Sequence, residues 1–304
     1  MYLRVTHETR YDYMPAVKTA QHMAHLKPRN DAQQQLVQHR LVVSPSPAEQ
    51  SEVCDVYGNV RTFFSLQSAH DELTVAAHSI VRTMPAPRWF DDPSIDTAWE
   101  AVRERFRYRA GAASSPASEF CFASPYVPRH DDFVQYARPS FAPGVPLLRA
   151  AHDLMQRMHA DFTYETDSTE INTPAVEALA QRCGVCQDFA HIMIACLRGM
   201  GLPARYVSGY LLTHAAPGRP KLVGSDASHA WISVYLPGEA KAGQWFDLDP
   251  TNNRSPAEDY VTLAVGRDFA DVSPLRGVLH GGADHTLDVA VTVEQLPEPV
   301  RTTS

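Results

Sequence analysis

Apolar residues recur along this chain with two periods, and the switch between them predicts where one unit ends and the next begins. Leu73, Val75, Ala77 and Val81 fall on odd positions, the period of a strand with one buried face. Tyr2 to Tyr13 is rich in Val, Thr and Tyr. Two β-prone runs between Val53 and Leu66 flank Tyr57-Gly58-Asn59, where Gly and Asn tolerate the positive φ of a hairpin turn. Residues 1–85 therefore read as a β-sandwich-like amino-terminal domain. Pro85-Ala86-Pro87 punctuates its end, and a short helix is expected over about Ile95 to Tyr108. Residues 86–145 form the linking region; within it, 110–146 reads either as a partly helical connection or as a loop folded over something.

From Pro146 the period becomes helical. Leu147, Leu148, Ala151, Leu154, Met155 and Met158 share one stripe. Thr173-Pro174 followed by Glu177 reads as a helix start, with a Thr cap, Pro at the first position and an acid in the first turn, running to about Arg182. Phe189, Ile192, Met193, Cys196, Leu197 and Met200 then predict an amphipathic helix, ended by Gly199, Gly201 and Pro203. Three β-like runs follow, Ala204 to Leu212, His229 to Leu236 and Gln244 to Leu248, with two more near Tyr260 to Val265 and Thr286 to Val293. Helices followed by strands with no helix between them predict an α+β class with an antiparallel sheet. Residues 146–304 are assigned to this unit, carboxy-terminal strands included.

At 304 residues the chain is too long for one small core, and its 44% hydrophobic and 20% charged content is that of an ordinary globular protein. A formal charge of -8 offers no general attraction to phosphate backbones, so nucleic acid is not an expected partner. No run of about 18 apolar residues predicts a membrane span. Met1 to Glu8 lacks the charged-then-apolar pattern of a signal peptide, which makes the cytoplasm the expected location. Cys54, Cys121, Cys183, Cys186 and Cys196 are too few and odd in number for a disulfide framework. The question becomes which thiol is reactive.

Cys186 sits at the amino end of the Phe189–Met200 helix and outside its apolar stripe, whereas Cys196 lies within it and reads as inert. A helix amino terminus favours thiolate and can stabilise an oxyanion. Gly184 lets the chain turn sharply close to the sulfur. His191, five residues along the helix, should point away, which leaves His229 at the start of a strand as the base, with Trp231 on its face of the sheet. Asp249, just before Pro250, supplies a carboxylate to orient that histidine. Asp247 shares its strand face, and periodicity does not separate the two acids. Trp231 and Tyr210 either wall the site or pack the core, Asp188 either caps the helix or pairs with Arg205, and Asp226 either sets the entrance to the His229 strand or faces substrate. Cys183-x-x-Cys186 also matches thiol–disulfide exchange spacing, but without a βαβ setting. One CxxC provides two zinc ligands at most, so neither a metal nor a cofactor is expected.

Arg182 to His191, Ala204 to Tyr210, Asp226 to Trp231 and Leu248-Asp249-Pro250-Thr251-Asn252, in that order over about residues 150–255, resemble the core of the transglutaminase-like superfamily. The β-rich beginning resembles the region that accompanies many of its bacterial members. The resemblance implies a papain-like core, with a Cys-bearing helix packed on an antiparallel sheet and the His and Asp on adjacent strands. Carried over residue by residue, it implies a triad of Cys186, His229 and Asp249, because the family's acid stands in a Leu-Asp-x-Thr-type setting. It implies attack on a carboxamide and a thioester intermediate, with hydrolysis of a peptide or small amide expected and amine transfer the alternative. Inactive members of the family typically lack a member of the triad, and here all three residues are present.

Overall fold

The computed structural model describes residues 1–85, 97–111, 115–166, 173–213, 228–238, 243–282 and 284–297. Its first sheet is organised by one 23-residue strand, β1 (Tyr2–Ala24). The first half of β1 runs antiparallel between β5 (His70–Thr83) and β13 (Asp284–Leu296), and the second half between β4 (Val60–Leu66) and β12 (Leu275–Gly281). Outside these, β2 (Gln34–Ser44) pairs with β5, and β3 (Glu49–Cys54) pairs with β4. The β3–β4 hairpin turns at Gly58, whose φ is +77°. Both halves contribute to one core, with Phe64 and Leu66 from β4 and Leu73, Val75 and Ala77 from β5, so the unit is a sheet domain built on one seven-stranded sheet.

The strands beyond residue 275 join this first sheet, not the carboxy-terminal unit to which their order in the chain assigned them. Strand β1 has a second edge opposite β5 and β4, and β12 and β13 satisfy its backbone groups there. Val291 and Val293 of β13 then enter the largest hydrophobic cluster beside Leu3 and Val5. Strand periodicity reports which face is buried but not which strand is the neighbour, so sequence order alone misassigned them.

The linking region is a partly helical connection. Helix α1 (Trp99–Phe106) lies within the expected span, a 3-10 turn covers Pro116–Cys121, and α2 (Asp131–Ala137) buries Phe133 and Tyr136. Then follow α3 (Leu147–Asp161), which buries all six residues of its predicted stripe, the two-residue strand β6 (Thr163–Tyr164) and α4 (Ala175–Gln181). In α4 the N-cap is Pro174, one position later than the expected Thr173 cap. Strand β7 (Cys183–Gly184) leads into α5 (Cys186–Gly199).

Helix α5 departs from the expected amphipathic pattern: every residue from Asp188 to Arg198 is buried. Strands β8 (Ala204–Leu211) and β9 (Ser228–Leu236) pack on it from one direction, and α2, α3 and α4 enclose the remainder. Arg198, on what would have been the polar face, donates to the carbonyl oxygens of Phe122, Ala204 and Arg267. Burial lowers its pKa to about 10, and the nearby Asp268 carboxylate opposes that fall.

The second sheet has the order β10–β9–β8–β11, all antiparallel, with β10 at Gln244–Leu248 and β11 at Tyr260–Gly266. The outer edge of β11 is covered by two side-chain carboxamides of the amino-terminal unit. Gln34 exchanges both hydrogen bonds with the Thr262 backbone at 2.8 Å, and Asn59 does so with Val265 at 2.7 and 2.9 Å. His7 of β1 bonds the Tyr210 hydroxyl at 2.8 Å. Among the described residues no helix is long and apolar enough to cross a membrane.

Burial makes several histidines poor bases. His7, His22 and His39 are lowered to about 4 and His191 to about 3. An unfolded chain accepts these protons near pH 6.5, whereas the folded chain resists them until about pH 4, so stability is lost as pH falls through that window. Thermal melts are expected to show a falling Tm across it. A His22→Leu variant, which replaces the ring stacked on Phe64, should show a shallower fall; a slope equal to that of the unmodified protein would remove His22 from this account.

Candidate active site

The amino end of α5 is built by close approach. Asp188, at the third position of the helix, accepts a hydrogen bond from the Val185 backbone N–H at 2.9 Å, which is the capping role and not a pairing with Arg205. A Cβ on Gly184 would stand 2.6 Å from the Asp188 carboxylate, at a φ of +156°, so only glycine fits there. Strand β6 fixes this turn from the side, because Thr163 N–H donates to Arg182 O at 2.9 Å and Glu165 N–H to Gly184 O at 3.0 Å. Cys186 is therefore the first residue of a 14-residue helix, half-buried at its positive end.

His229 lies near the start of β9. Its Nε2 is 2.7 Å from Asp249 Oδ2 and 3.3 Å from Asn252 Nδ2, and the ring also bonds Cys186. Trp231 and Tyr260 flank the imidazole with ring centroids 6.0 Å away. Trp231 fits because β8 carries Gly209 beneath it: a Cβ there would lie 2.5 Å from the Trp231 ring and 2.1 Å from Val261 O.

Asp249 follows β10 and has no exposure to water. Its Oδ1 accepts from the backbone N–H groups of Thr251 and Asn252, at 2.9 and 3.2 Å. Its Oδ2 receives His229 Nε2, Tyr260 OH and Asn252 Nδ2, each at 2.7 Å. Burial by itself would raise the pKa of this acid, but the donors, His229 foremost, bring it below the ordinary value. Burial likewise opposes charge on His229. The bond to Asp249 and then that to Cys186 overcome it and raise the histidine to about 10.

Asp247 occupies the same strand face and a different environment. It accepts a hydrogen bond from Ser233 and faces Arg205, and burial pushes its pKa up. Arg205 stacks over Trp245 at 4.2 Å. The structure thus brings together Cys186, His229 and Asp249 and leaves Asp247 outside that chain of hydrogen bonds. Trp231 packs on the histidine, whereas Tyr210 is committed to His7. His191 points away from the sulfur and is buried between Tyr126 and Tyr206. Asp226 lies outside the described residues.

Three neighbours of the site were not singled out from sequence. Tyr260 reads as one more apolar strand position, and Asn252 as part of a turn. Tyr164 pairs with Gly184 in the β6–β7 ladder and stays exposed; burial of part of its ring, and then Cys186 nearby, raise its phenol pKa. Cys183 and Cys186 are free thiols. Cys183 lies in β7, ahead of the helix, and Cys186 is the first residue of α5, with Val185 extended between β7 and the helix.

Residues 3–82 match the bacterial transglutaminase-like N-terminal region, and residues 135–250 match the transglutaminase-like superfamily. The chain is 42% identical to an uncharacterized protein of Mycobacterium tuberculosis (strain ATCC 25618 / H37Rv), over 95% of this chain and 91% of that one. A protein-glutamine gamma-glutamyltransferase of Pseudomonas aeruginosa is 30% identical over 159 residues, 44% of this chain and 23% of that protein. A crystal structure described as that of a candidate cysteine protease from Cytophaga hutchinsonii superposes with a TM-score of 0.69 at 19% identity, covering 98% of this chain and 92% of the other. That last likeness is one of fold.

The hydrogen bonds around His229 make its charge measurable. Ring resonances followed by NMR should titrate near pH 10 in the unmodified protein. In Asp249→Asn the midpoint should fall by about one to three units, because a neutral amide no longer offsets burial. A midpoint unchanged by that substitution would show that the carboxylate does not control the ring.

Proposed function

The chain belongs to the transglutaminase-like superfamily, and from that membership we propose that it is a cysteine-dependent amide hydrolase whose catalytic residues are Cys186, His229 and Asp249. The Cys186 thiolate attacks the carbonyl carbon of a peptide or small carboxamide, while the dipole of α5 stabilises the developing oxyanion. The His229 imidazolium gives its proton to the departing nitrogen, the C–N bond breaks, and the acyl group remains on sulfur as a thioester. Water, deprotonated by the now neutral His229, then cleaves the thioester and restores the thiolate–imidazolium pair. Asp249 keeps the ring oriented and favours its charged form throughout.

The observation that carries this reading is the hydrogen-bonded line from the helix-tip sulfur through His229 to a buried, multiply bonded carboxylate. Structural histidines in this chain are neutralised by burial, whereas His229 is charged despite it. Water as acceptor accords with the exposure of Tyr164 and Asn252, described residues beside the site, since transfer to an amine requires a shielded thioester. A second reading, transfer of the acyl group to a primary amine, is favoured by the identity shared with the gamma-glutamyltransferase.

Peptide and small-amide substrates assayed with and without a primary amine separate the two readings. Release of ammonia or amine with no incorporation is expected; incorporation would establish transfer. Cys186→Ala and His229→Gln should each cost about 10³-fold or more in kcat, whereas Cys183→Ser should keep most activity. Iodoacetamide at near-neutral pH should label Cys186 in preference to Cys121, raised to about 11, and to Cys196, raised by complete burial. Full activity in Cys186→Ala would end the proposal.

A further inference from the structure

Asp249 Oδ2 receives more donors than one carboxylate oxygen comfortably accepts. It has about two lone-pair sites, yet His229 Nε2, Tyr260 OH and Asn252 Nδ2 all approach it to 2.7 Å. The three share the same electron density, so each bond limits the others. Tyr260 is held as a donor towards Asp249 by Arg254, whose Nε donates to the phenol oxygen at 3.0 Å and whose guanidinium lies 4.8 Å from the ring centroid. Arg254 is itself paired with Asp259. Burial and the adjacent Asp249 charge keep the Tyr260 hydroxyl protonated, as a donor must be.

We infer that Tyr260, anchored by Arg254, is a positioning residue that limits how strongly Asp249 holds the His229 proton and so sets the acidity of the imidazolium in the reaction. The inference rests on the amide-hydrolase reading and extends it from three residues to a line of five. Its logic is one of balance. Acylation needs an imidazolium that gives up its proton to the leaving nitrogen, and a carboxylate with no other donor would hold that proton too firmly. Withdrawing part of the Oδ2 charge into a phenol leaves the ring charged at rest but still able to act as an acid. Tyr260 packs against Trp231, with ring centroids 5.3 Å apart, so the hydroxyl is delivered by a rigid aromatic wall.

The test is Tyr260→Phe, which keeps the ring and removes only the hydroxyl, with Arg254→Gln as a second, half-exposed variant. Hydrolysis of an amide substrate would be measured from pH 6 to 11. Loss of the phenol donor makes Asp249 more basic and the imidazolium a weaker acid. The alkaline limb should therefore move to higher pH, and kcat should fall about tenfold with KM within about twofold, the size expected for a hydrogen bond to a charged group. Arg254→Gln should shift both in the same direction by less. A purely structural role would lower activity and melting temperature together without moving the limb, and that result would overturn the inference, as would wild-type kcat and pH profile in Tyr260→Phe. If the unmodified protein were inactive, or active without Cys186, the underlying reading would have failed instead.

Discussion

A carboxylate withdrawn completely from water is tolerable only when its lone pairs are filled, and Asp249 imposes that condition on the transglutaminase-like half of the molecule. Its donors come from three places: the start of β9, the tight turn after β10 and the start of β11. These segments must converge within hydrogen-bonding distance, although β8 separates β9 from β11 in the sheet. Gly209 resolves the conflict. It lets the Trp231 ring lie across β8, where the indole meets the imidazole at a tilt and the phenol in a T-shaped contact. The backbone bridge between Asp249 and Arg254 closes the turn and orients the chain towards Tyr260.

The amino-terminal unit bears on the same constraint. Strand β11 carries Tyr260 at its beginning and lies at the edge of its sheet, where an unpaired strand would fray. Gln34 and Asn59 act there as surrogate backbone, and the Thr83 hydroxyl donates to Glu258 O at 2.6 Å just ahead of the strand. Because β12 and β13 return to pair with β1, the polypeptide leaves the second sheet and closes on the first. The phenol that reaches Asp249 is thus positioned by contacts that begin in the amino-terminal unit.

Much of this was readable from residue order, for reasons that also mark where reading stopped. The helix-tip cysteine, the strand-borne histidine and the acid before Pro250 each sit at an element boundary, and boundaries leave signals in Gly, Pro and the change of period. The six-residue stripe of α3 is buried as its spacing implied. Burial of α5 on every side was not legible, since Arg198 reads as a solvated residue until carbonyls from distant segments are seen to surround it. Nor was the destination of β13, because period-two alternation is the same whichever sheet it joins. Tyr260 shows the same limit at the site: a buried tyrosine at the start of a strand carries no local mark of the acid its hydroxyl will find.

The two acids of β10 and its end carry this further. Asp247 and Asp249 are two residues apart and share a strand face, Asp247 half-buried and Asp249 fully buried, and pattern alone does not assign them different work. Their partners do. Asp247 has the Ser233 hydroxyl and a guanidinium at longer range, too little to offset its desolvation, and its pKa rises. Asp249 has five directed donors, one of them a ring that becomes a cation beside it, and its pKa falls. The difference is generated by a Gly that opens space on the neighbouring strand, a turn that aims two amides inward and a phenol from across the sheet. An acid of this kind is therefore specified by the geometry of its surroundings, and its sequence neighbours record only part of that geometry.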